Sequence, residues 1–498
     1  MKRRPAIACP LLLALLLALL PAATIDAQGP IYADPTERFG VDVVQDLGTI
    51  SLYDVAPLRL SWYTDWDTHL APERPGGIEY VHLITAAGGQ IVPESYIRSL
   101  VQANPPGSLW IIGNEPECPH QDRCTPEEYA ILYQHAYVTI KSYDPTAQVA
   151  VGGVVEGTPL RLKWLTRMVD YYQATFGEPL PVDVWNTHNI ILPESGDWGA
   201  GVPVGLGEGH GELYGAQDND NMDIWRRHIV NMRVWMRDHG YRDKPLIVSE
   251  YGVLMPTEFG FTPERINAFM NASFDYMMSA RDDTLGYPAD GNRLVQRWAW
   301  NNLNGQPYDF RTGRGVNGAL FDYLTCQITA AGTNYQRYTD ALAGGQICLS
   351  GSITLTNRLS RPLLSYAIPV TVTLTPAGGG EPITRTTHTD TLGHFGVCQV
   401  PPGTYSIRVK GFNTLAIRFD GVTLAADTPL LDFGSPPPGD ANGDNIVNIL
   451  DFALLSRSFW KSAGQDGFDA RADFNGDGTI NILDFALLSR NFWKQGVQ

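Results

Sequence analysis

The chain has 498 residues, 36 Lys and Arg against 53 Asp and Glu for a formal charge of −17, and is 44% hydrophobic and 18% charged. That length predicts about three folded units. The apolar content excludes wholesale disorder, and the acidic balance lacks the basic face that a nucleic-acid partner requires.

Lys2, Arg3 and Arg4 precede an apolar run from Leu11 to Leu20 that ends at Pro21, and small residues continue to Ala27. This is the pattern of a signal peptide over 1–27. The run is too short to span a membrane, which takes roughly 20 apolar residues, and no later segment is long enough. A secreted, extracellular protein is predicted, and Cys9 leaves with the leader. Cys118, Cys124, Cys326, Cys348 and Cys398 then meet an oxidising compartment, and their odd number leaves at least one unpaired. Cys118 with Cys124, across a short loop, is the first expected disulfide. Cys348 with Cys398 is the second, and Cys326 with Cys348 is its competitor.

Over 31–340, strand-like runs alternate with helical stretches. The strands are expected at Phe39–Val44, Leu58–Trp62, Tyr80–Ile84, Leu109–Gly113, Val149–Val155, Val182–His188, Leu246–Glu250 and Val295–Trp300. Helices are expected at Pro126–Ser142, Arg161–Phe176, Met222–His239 and Pro263–Ala280, several opened by Thr-Pro. Eight strands, each followed by a helix or long loop, are the arithmetic of a (β/α)8 TIM barrel. An open doubly wound sheet is the alternative, but its Gly-rich phosphate turn is missing.

From 347 to 433 the pattern turns to alternating Thr, Val and Ile segments with no helix between them. Strands at Ser352–Leu355, Val370–Thr375, Ile383–His388, Phe395–Val400, Thr404–Lys410 and Leu415–Phe419 predict a small all-β sandwich. Gly393-His394-Phe395 and the run Pro401 to Val409 resemble the carboxypeptidase regulatory-like β-domains, a resemblance that implies a spacer and no chemistry.

Residues 434–439, with three consecutive prolines, predict a stiff linker. Beyond it, NILDFALLSRSFWK at 448–461 returns as NILDFALLSRNFWK at 481–494, differing only at Ser458 and Asn491. Before each copy stands an oxygen-rich loop. Asp440, Asn442, Asp444, Asn448 and Asp451 occupy positions 1, 3, 5, 9 and 12 of the first, and Asp473, Asn475, Asp477, Asn481 and Asp484 those of the second. The backbone carbonyls of Ile446 and Thr479 stand at position 7. Such a spacing wraps hard oxygen ligands around calcium, so two Ca²⁺ are expected. Position 6 is Gly478 in the second loop and Asn445 in the first, and Asn tolerates the left-handed backbone needed there.

Residues 440–495 resemble a type I dockerin, a small α-helical module of paired EF-hand-like repeats. The resemblance implies a cohesin partner, contacted through Ile449, Leu450, Ile482 and Leu483 with Ser456-Arg457 and Ser489-Arg490 further along the helices. Near-identical repeats imply docking in two orientations, and the carboxylate excess implies unfolding without calcium.

Two barrel strands end in glutamate: Leu109 to Gly113 leads to Asn114-Glu115-Pro116, and Leu246 to Ser249 leads to Glu250-Tyr251. In a barrel the C-terminal strand ends carry the site. Glycoside hydrolysis needs two carboxyl groups flanking the bond, one protonated and one ionised. Here the sequence resembles the clan A retaining glycoside hydrolases. The resemblance implies Glu115 as acid/base, Glu250 as nucleophile and Asn114 as donor to the sugar 2-hydroxyl. It also implies Arg59 beside the nucleophile, His188 at the end of strand 6 with Tyr251 in place of the Tyr that usually follows it, and Trp300 as a stacking platform. Trp62, Tyr63, Trp66, Trp185 and Trp198 add aromatic faces suited to sugars.

The expected function is therefore a secreted glycosidase acting on a polysaccharide without a catalytic cofactor and delivered to a partner or surface by its dockerin. A second reading is an inactive carbohydrate-binding or structural barrel whose working site is the dockerin. The two differ in whether Glu115 and Glu250 face each other at about 5 to 5.5 Å.

Overall fold

The computed structural model describes residues 32, 34–196 and 198–498. The predicted signal peptide lies outside the described residues. No described helix is long and apolar enough to cross a membrane.

Among the described residues the first region holds nine short strands: β1 (Phe39–Asp42), β2 (Trp62–Thr64), β3 (Glu79–Tyr80), β4 (His82–Ile84), β5 (Leu109–Ile112), β6 (Gln148–Val151), β7 (Trp185–His188), β8 (Leu246–Tyr251) and β9 (Arg297–Trp300). They form two parallel sheets, ordered β3-β2-β1-β9-β8-β7 and β4-β5-β6. Only Val81 separates β3 from β4, and isolated parallel bridges Ala150–Val184 and Val154–Thr187 link the β6 and β7 sides. The predicted strand at Leu58–Trp62 starts later. Pro57 opens a helical turn over Ala56–Leu58, and Arg59 closes it in the left-handed region at φ 53°.

Outside the strands lie α1 (Glu94–Ala103), α2 (Pro126–Tyr143), α3 (Pro159–Phe176), α4 (Met222–Asp238), α5 (Pro263–Ser279) and α6 (Ala330–Ala343). Thr125, Thr158 and Thr262 cap α2, α3 and α5, each followed by Pro at the first helical position, because the hydroxyl satisfies an orphan N–H and Pro has none to lose.

Side chains alternate across each strand. One face supplies an apolar cluster of Trp62, Leu83, Leu109, Ile111, Ala150, Val184, Ile247 and Ala299, drawn from both sheets. Gly40 on β1 makes that cluster possible, since a Cβ there would stand 2.4 Å from the Trp62 ring. The opposite face packs against the helices.

The second region consists of β10 (Ile347–Ser352), β11 (Pro369–Pro376), β12 (Ile383–His388), β13 (His394–Val400), β14 (Gly403–Gly411), β15 (Ile417–Leu424) and β16 (Leu431–Asp432). Its sheets, β13-β10-β16 and β12-β11-β14-β15, share a core that includes Leu349, Val397, Val372 and Ile407. This β-domain leans on α5: Tyr276 donates to Asp390 at 3.0 Å, and Ser350 to the Ser279 carbonyl at 2.5 Å.

Cys348 and Cys398 are disulfide-bonded, while Cys118, Cys124 and Cys326 are free. The expected Cys118–Cys124 bridge is therefore corrected. The intervening loop points Cys118 Sγ at the Ala200 carbonyl and Cys124 Sγ at the Ala86 carbonyl, each 3.2 Å away. Burial pushes both thiols up to about 12.

The last region carries α7 (Ile449–Arg457) and α8 (Ile482–Arg490), packed on each other. Leu415 of the β-domain joins its apolar core. The proline-rich segment is not a free spacer: Pro437 accepts from Leu415 N–H at 2.7 Å, and Pro438 accepts from Asn491 Nδ2 at 2.7 Å.

Candidate functional site

Glu115 follows β5 through a turn in which Gly113 has φ 90° and Glu115 itself φ 44°. A non-glycine residue there is strained. Buried Asp122 holds the turn, accepting from the backbone N–H of Asn114 at 2.7 Å and of Ala86 at 2.8 Å.

Glu250 owes its place to a bulge in β8. Val248 pairs with Thr187, but the next partner of β7, His188, pairs with Glu250. A bulge adds one residue and re-aims the side chains after it. Strict alternation from inward Ile247 would turn Glu250 toward the helices; the extra residue turns it inward and sends Tyr251 outward. Gly153 clears the space, since a Cβ there would lie 2.4 Å from the His188 ring.

His188 Nδ1 stands 3.0 Å from Glu115 Oε1 and 3.7 Å from Glu250 Oε2. Ligand atoms of Glu115, His188 and Glu250 all lie within 4.8 Å of one another. Their side chains are 9%, 2% and 14% exposed, which leaves the carboxylates reachable and the imidazole enclosed. Burial raises the Glu250 pKa, opposed by His188 and by hydrogen bonds from Trp66 and Asn301. Trp66 Nε1 donates to Glu250 Oε2 at 2.9 Å. Burial disfavours the imidazolium of His188, but the Glu250 and Glu115 carboxylates outweigh it and the pKa rises. Asp42, at the end of β1, is fully buried with neither oxygen partnered, and burial followed by the Glu250 charge keeps it well above the carboxylate range. A cleft of about 450 Å³ lined by Trp66, Asn301, Asn302, Gln306 and Arg314 opens beside Glu250.

Several expected partners lie elsewhere. Arg59 precedes β2, on the other side of the strands from Glu250, where its Nε meets Asp340 at 2.8 Å. Tyr251 is buried against Trp225 and Trp300. Trp300 faces the helices, fully buried, and donates to the Gly318 carbonyl at 2.8 Å. Trp62 fills the interior, with the Arg297 guanidinium 5.1 Å from its ring. Trp185 and Tyr63 are also buried, whereas Trp198 is 45% exposed. Asn114 donates through Nδ2 to Gln121 at 3.3 Å. Asn301 and Asp42 escaped the sequence reading, although counting alternate positions from inward Ala299 and Gly40 reaches both.

The two acidic loops share one geometry. Asp440 accepts from Gly443 and Asn445 N–H, both at 2.9 Å, as Asp473 does from Gly476 and Gly478 at 2.8 and 2.9 Å. Asn442 accepts from Asp444 N–H, Asp444 from Ile446, and Asp451 from Asn448; Asn475, Asp477 and Asp484 repeat the pattern. The oxygens of Asp440, Asn442, Asp444 and Asp451, and of their counterparts, form a donor set suited to calcium. Asn448 and Asn481 spend Oδ1 on capping α7 and α8, accepting at 2.7 and 2.8 Å. Asn445 takes φ 70°, and its amide also ties the loop to Ala416 N–H and the Val497 carbonyl. Lys410 of the β-domain reaches Asp440 Oδ2 at 2.5 Å. Ile449, Leu450, Trp460, Ile482, Leu483 and Trp493 are all more than half exposed.

Comparison of the sequence with curated proteins finds no match. Among solved structures, an endo-β-1,3-glucanase of GH128 subgroup II from Sorangium cellulosum aligns at 16% identity over 60% of this chain and 97% of its own, with TM-score 0.37. A curdlan-specific exo-β-1,3-glucanase of GH128 subgroup III from Blastomyces gilchristii aligns at 16% over 61% and 99%, with TM-score 0.38. A C-terminal interface mutant of a type II cohesin-X-dockerin complex from Acetivibrio cellulolyticus aligns at 23% over 30% and 97%, with TM-score 0.24. Residues 438–492 match the family model of the Dockerin type I domain.

Proposed function

We propose that the chain is a secreted glycoside hydrolase that cleaves a polysaccharide with retention, built on a closed (β/α)8 barrel and held to a cohesin-bearing partner by its dockerin. The observation that carries this reading is the cluster of Glu115, His188 and Glu250, whose nearest ligand atoms lie within 4.8 Å of one another although they come from the ends of β5, β7 and β8. Retaining enzymes place their carboxyl groups about 5 to 5.5 Å apart, and inverting ones about 6.5 to 9.5 Å. Closure is supported by the single residue between β3 and β4 and by the bridges from β6 to β7.

In this mechanism Glu250 attacks the anomeric carbon as the glycosidic C–O bond breaks, and Glu115 gives its proton to the departing oxygen. Water then attacks the glycosyl-enzyme, losing a proton to Glu115 and freeing Glu250. Hydrogen bonds from Trp66 and Asn301 favour the ionised form of Glu250 against burial, and the Trp66 bond aims its carboxylate. The Trp66 ring also lines the cleft, where it can stack on a sugar face.

In the dockerin, calcium would supply the positive charge that offsets crowded carboxylates. Asp440, Asn442, Asp444, Asp451 and the Ile446 carbonyl would hold one ion, and Asp473, Asn475, Asp477, Asp484 and the Thr479 carbonyl the other. Asn448 and Asn481 are left to act through water. The exposed apolar pairs and tryptophans of the two repeats are the proposed cohesin contacts.

The test is turnover of a polysaccharide panel beginning with a β-1,3-glucan, the polymer for which the GH128 glucanases are named, with the first-formed anomer read by NMR. Retained configuration supports the reading. Inversion, or no turnover across the panel, overturns it.

A further inference from the structure

Two residues beyond Glu115 the chain buries another carboxylate, and around it stands a cluster the proposed chemistry does not use. Glu117, Glu156 and Glu194 are fully buried, as is Arg161. The Arg161 Nη1 contacts Glu117, its Nε stands 3.2 Å from Glu194, and its Nη2 donates to the Gly201 carbonyl at 3.0 Å. Glu117 accepts from Val155 N–H at 2.9 Å through its side chain and from Val204 N–H at 2.9 Å through its carbonyl. Glu194 accepts from the Thr158 hydroxyl at 2.6 Å and from Glu212 N–H at 2.8 Å.

We propose that Arg161, on α3, is a positioning residue for the Glu115 carboxyl, its one guanidinium clamping the loop that carries Glu115 to Glu194 and to the Gly201 carbonyl. The inference rests on the reading of Glu115 as acid/base. Its physical ground is the strained backbone at Glu115, which persists only where the surroundings over-determine it. The clamp supplies those constraints from three directions, with the planar fork that a lysine lacks. Arg161 is the cation in direct contact with Glu117 and Glu194. Breaking such a buried pair strands an uncompensated charge and is strongly destabilising, so the loop held by Glu117 is expected to lose its place.

The test compares two substrates. Arg161→Met should lower kcat/KM on the polysaccharide by about 10²-fold, the scale of a misplaced catalytic group. On a dinitrophenyl glycoside of the same sugar the loss should stay below about threefold, because a good leaving group needs little protonation. Equal losses on both substrates, or none on either, would overturn the proposal. Glu117→Gln, which keeps the shape and removes the charge, is the second variant. It should show the same leaving-group dependence more weakly, and it decides the matter if Arg161→Met does not fold. If Glu115→Ala itself shows no leaving-group dependence, the acid/base reading fails, which separates that failure from failure of the clamp.

Discussion

His188 presents a single nitrogen to two carboxylates, Nδ1 at 3.0 Å from Glu115 and 3.7 Å from Glu250, so its charge and theirs are linked. Its pKa is raised in the fold, with the carboxylates outweighing burial. A raised histidine adds stability that is complete below its unfolded value, about 6.5, and is lost as pH rises through the folded value. Thermal melts of His188→Gln should therefore fall furthest below the parent at mildly acidic pH and converge with it at alkaline pH; a gap independent of pH contradicts the linkage. For the carboxylates the expectations are chemical. Glu250→Ala should abolish turnover, with azide giving a glycosyl azide of inverted configuration. Glu115→Ala should spare the first step on activated aryl glycosides, with azide speeding the second step and retaining configuration. Near-normal turnover of the polysaccharide by either variant would show the pair misassigned.

Elements explain why these side chains meet and how far that was readable. The two Glu-terminated strands, the Thr-Pro helix starts and the duplicated acidic loops stem from local pattern, because period and capping chemistry are written along the chain. The β8 bulge is not, since it depends on which residue of β7 finds a partner, and it reversed the sides taken by Glu250 and Tyr251. Arg59 was expected within the strand Leu58–Trp62, but a helical turn over Ala56–Leu58 leaves it before β2, where it meets Asp340. Trp62 and Trp300 look like sugar platforms in sequence, yet alternation buries one in the interior and the other under the helices. Cys118 and Cys124 are close in sequence but point to opposite walls of their loop. The acidic loops were legible because every donor is local. Calorimetry of the full chain should give two calcium sites, with Asp473→Ala removing one and leaving the Asp440 loop loaded. Two sites surviving in that variant would contradict the ligand set.

At the scale of the whole molecule, the β-domain joins the first region to the dockerin by packing on both. Gly396 lies so close to α5 that a Cβ would fall 1.7 Å from Ser279 Oγ. Gly396→Val should pry the two apart and lower the melting temperature while the isolated chemistry of the Glu115–Glu250 pair persists; an unchanged melt would contradict that tight seam. On the other side Leu415, Lys410 and the amide of Asn445 bind the β-domain to the first acidic loop, so the proposed calcium binding there should be read in the intact chain. The central claim, however, is covalent catalysis by the glutamate pair. Its direct test is peptide mapping by mass spectrometry after incubation with an activated 2-deoxy-2-fluoro glycoside of a sugar turned over in the polysaccharide panel. Covalent catalysis by this pair predicts one equivalent of label, on Glu250. Label on Glu115, or turnover that proceeds with inversion and leaves Glu250 unmodified, would contradict it.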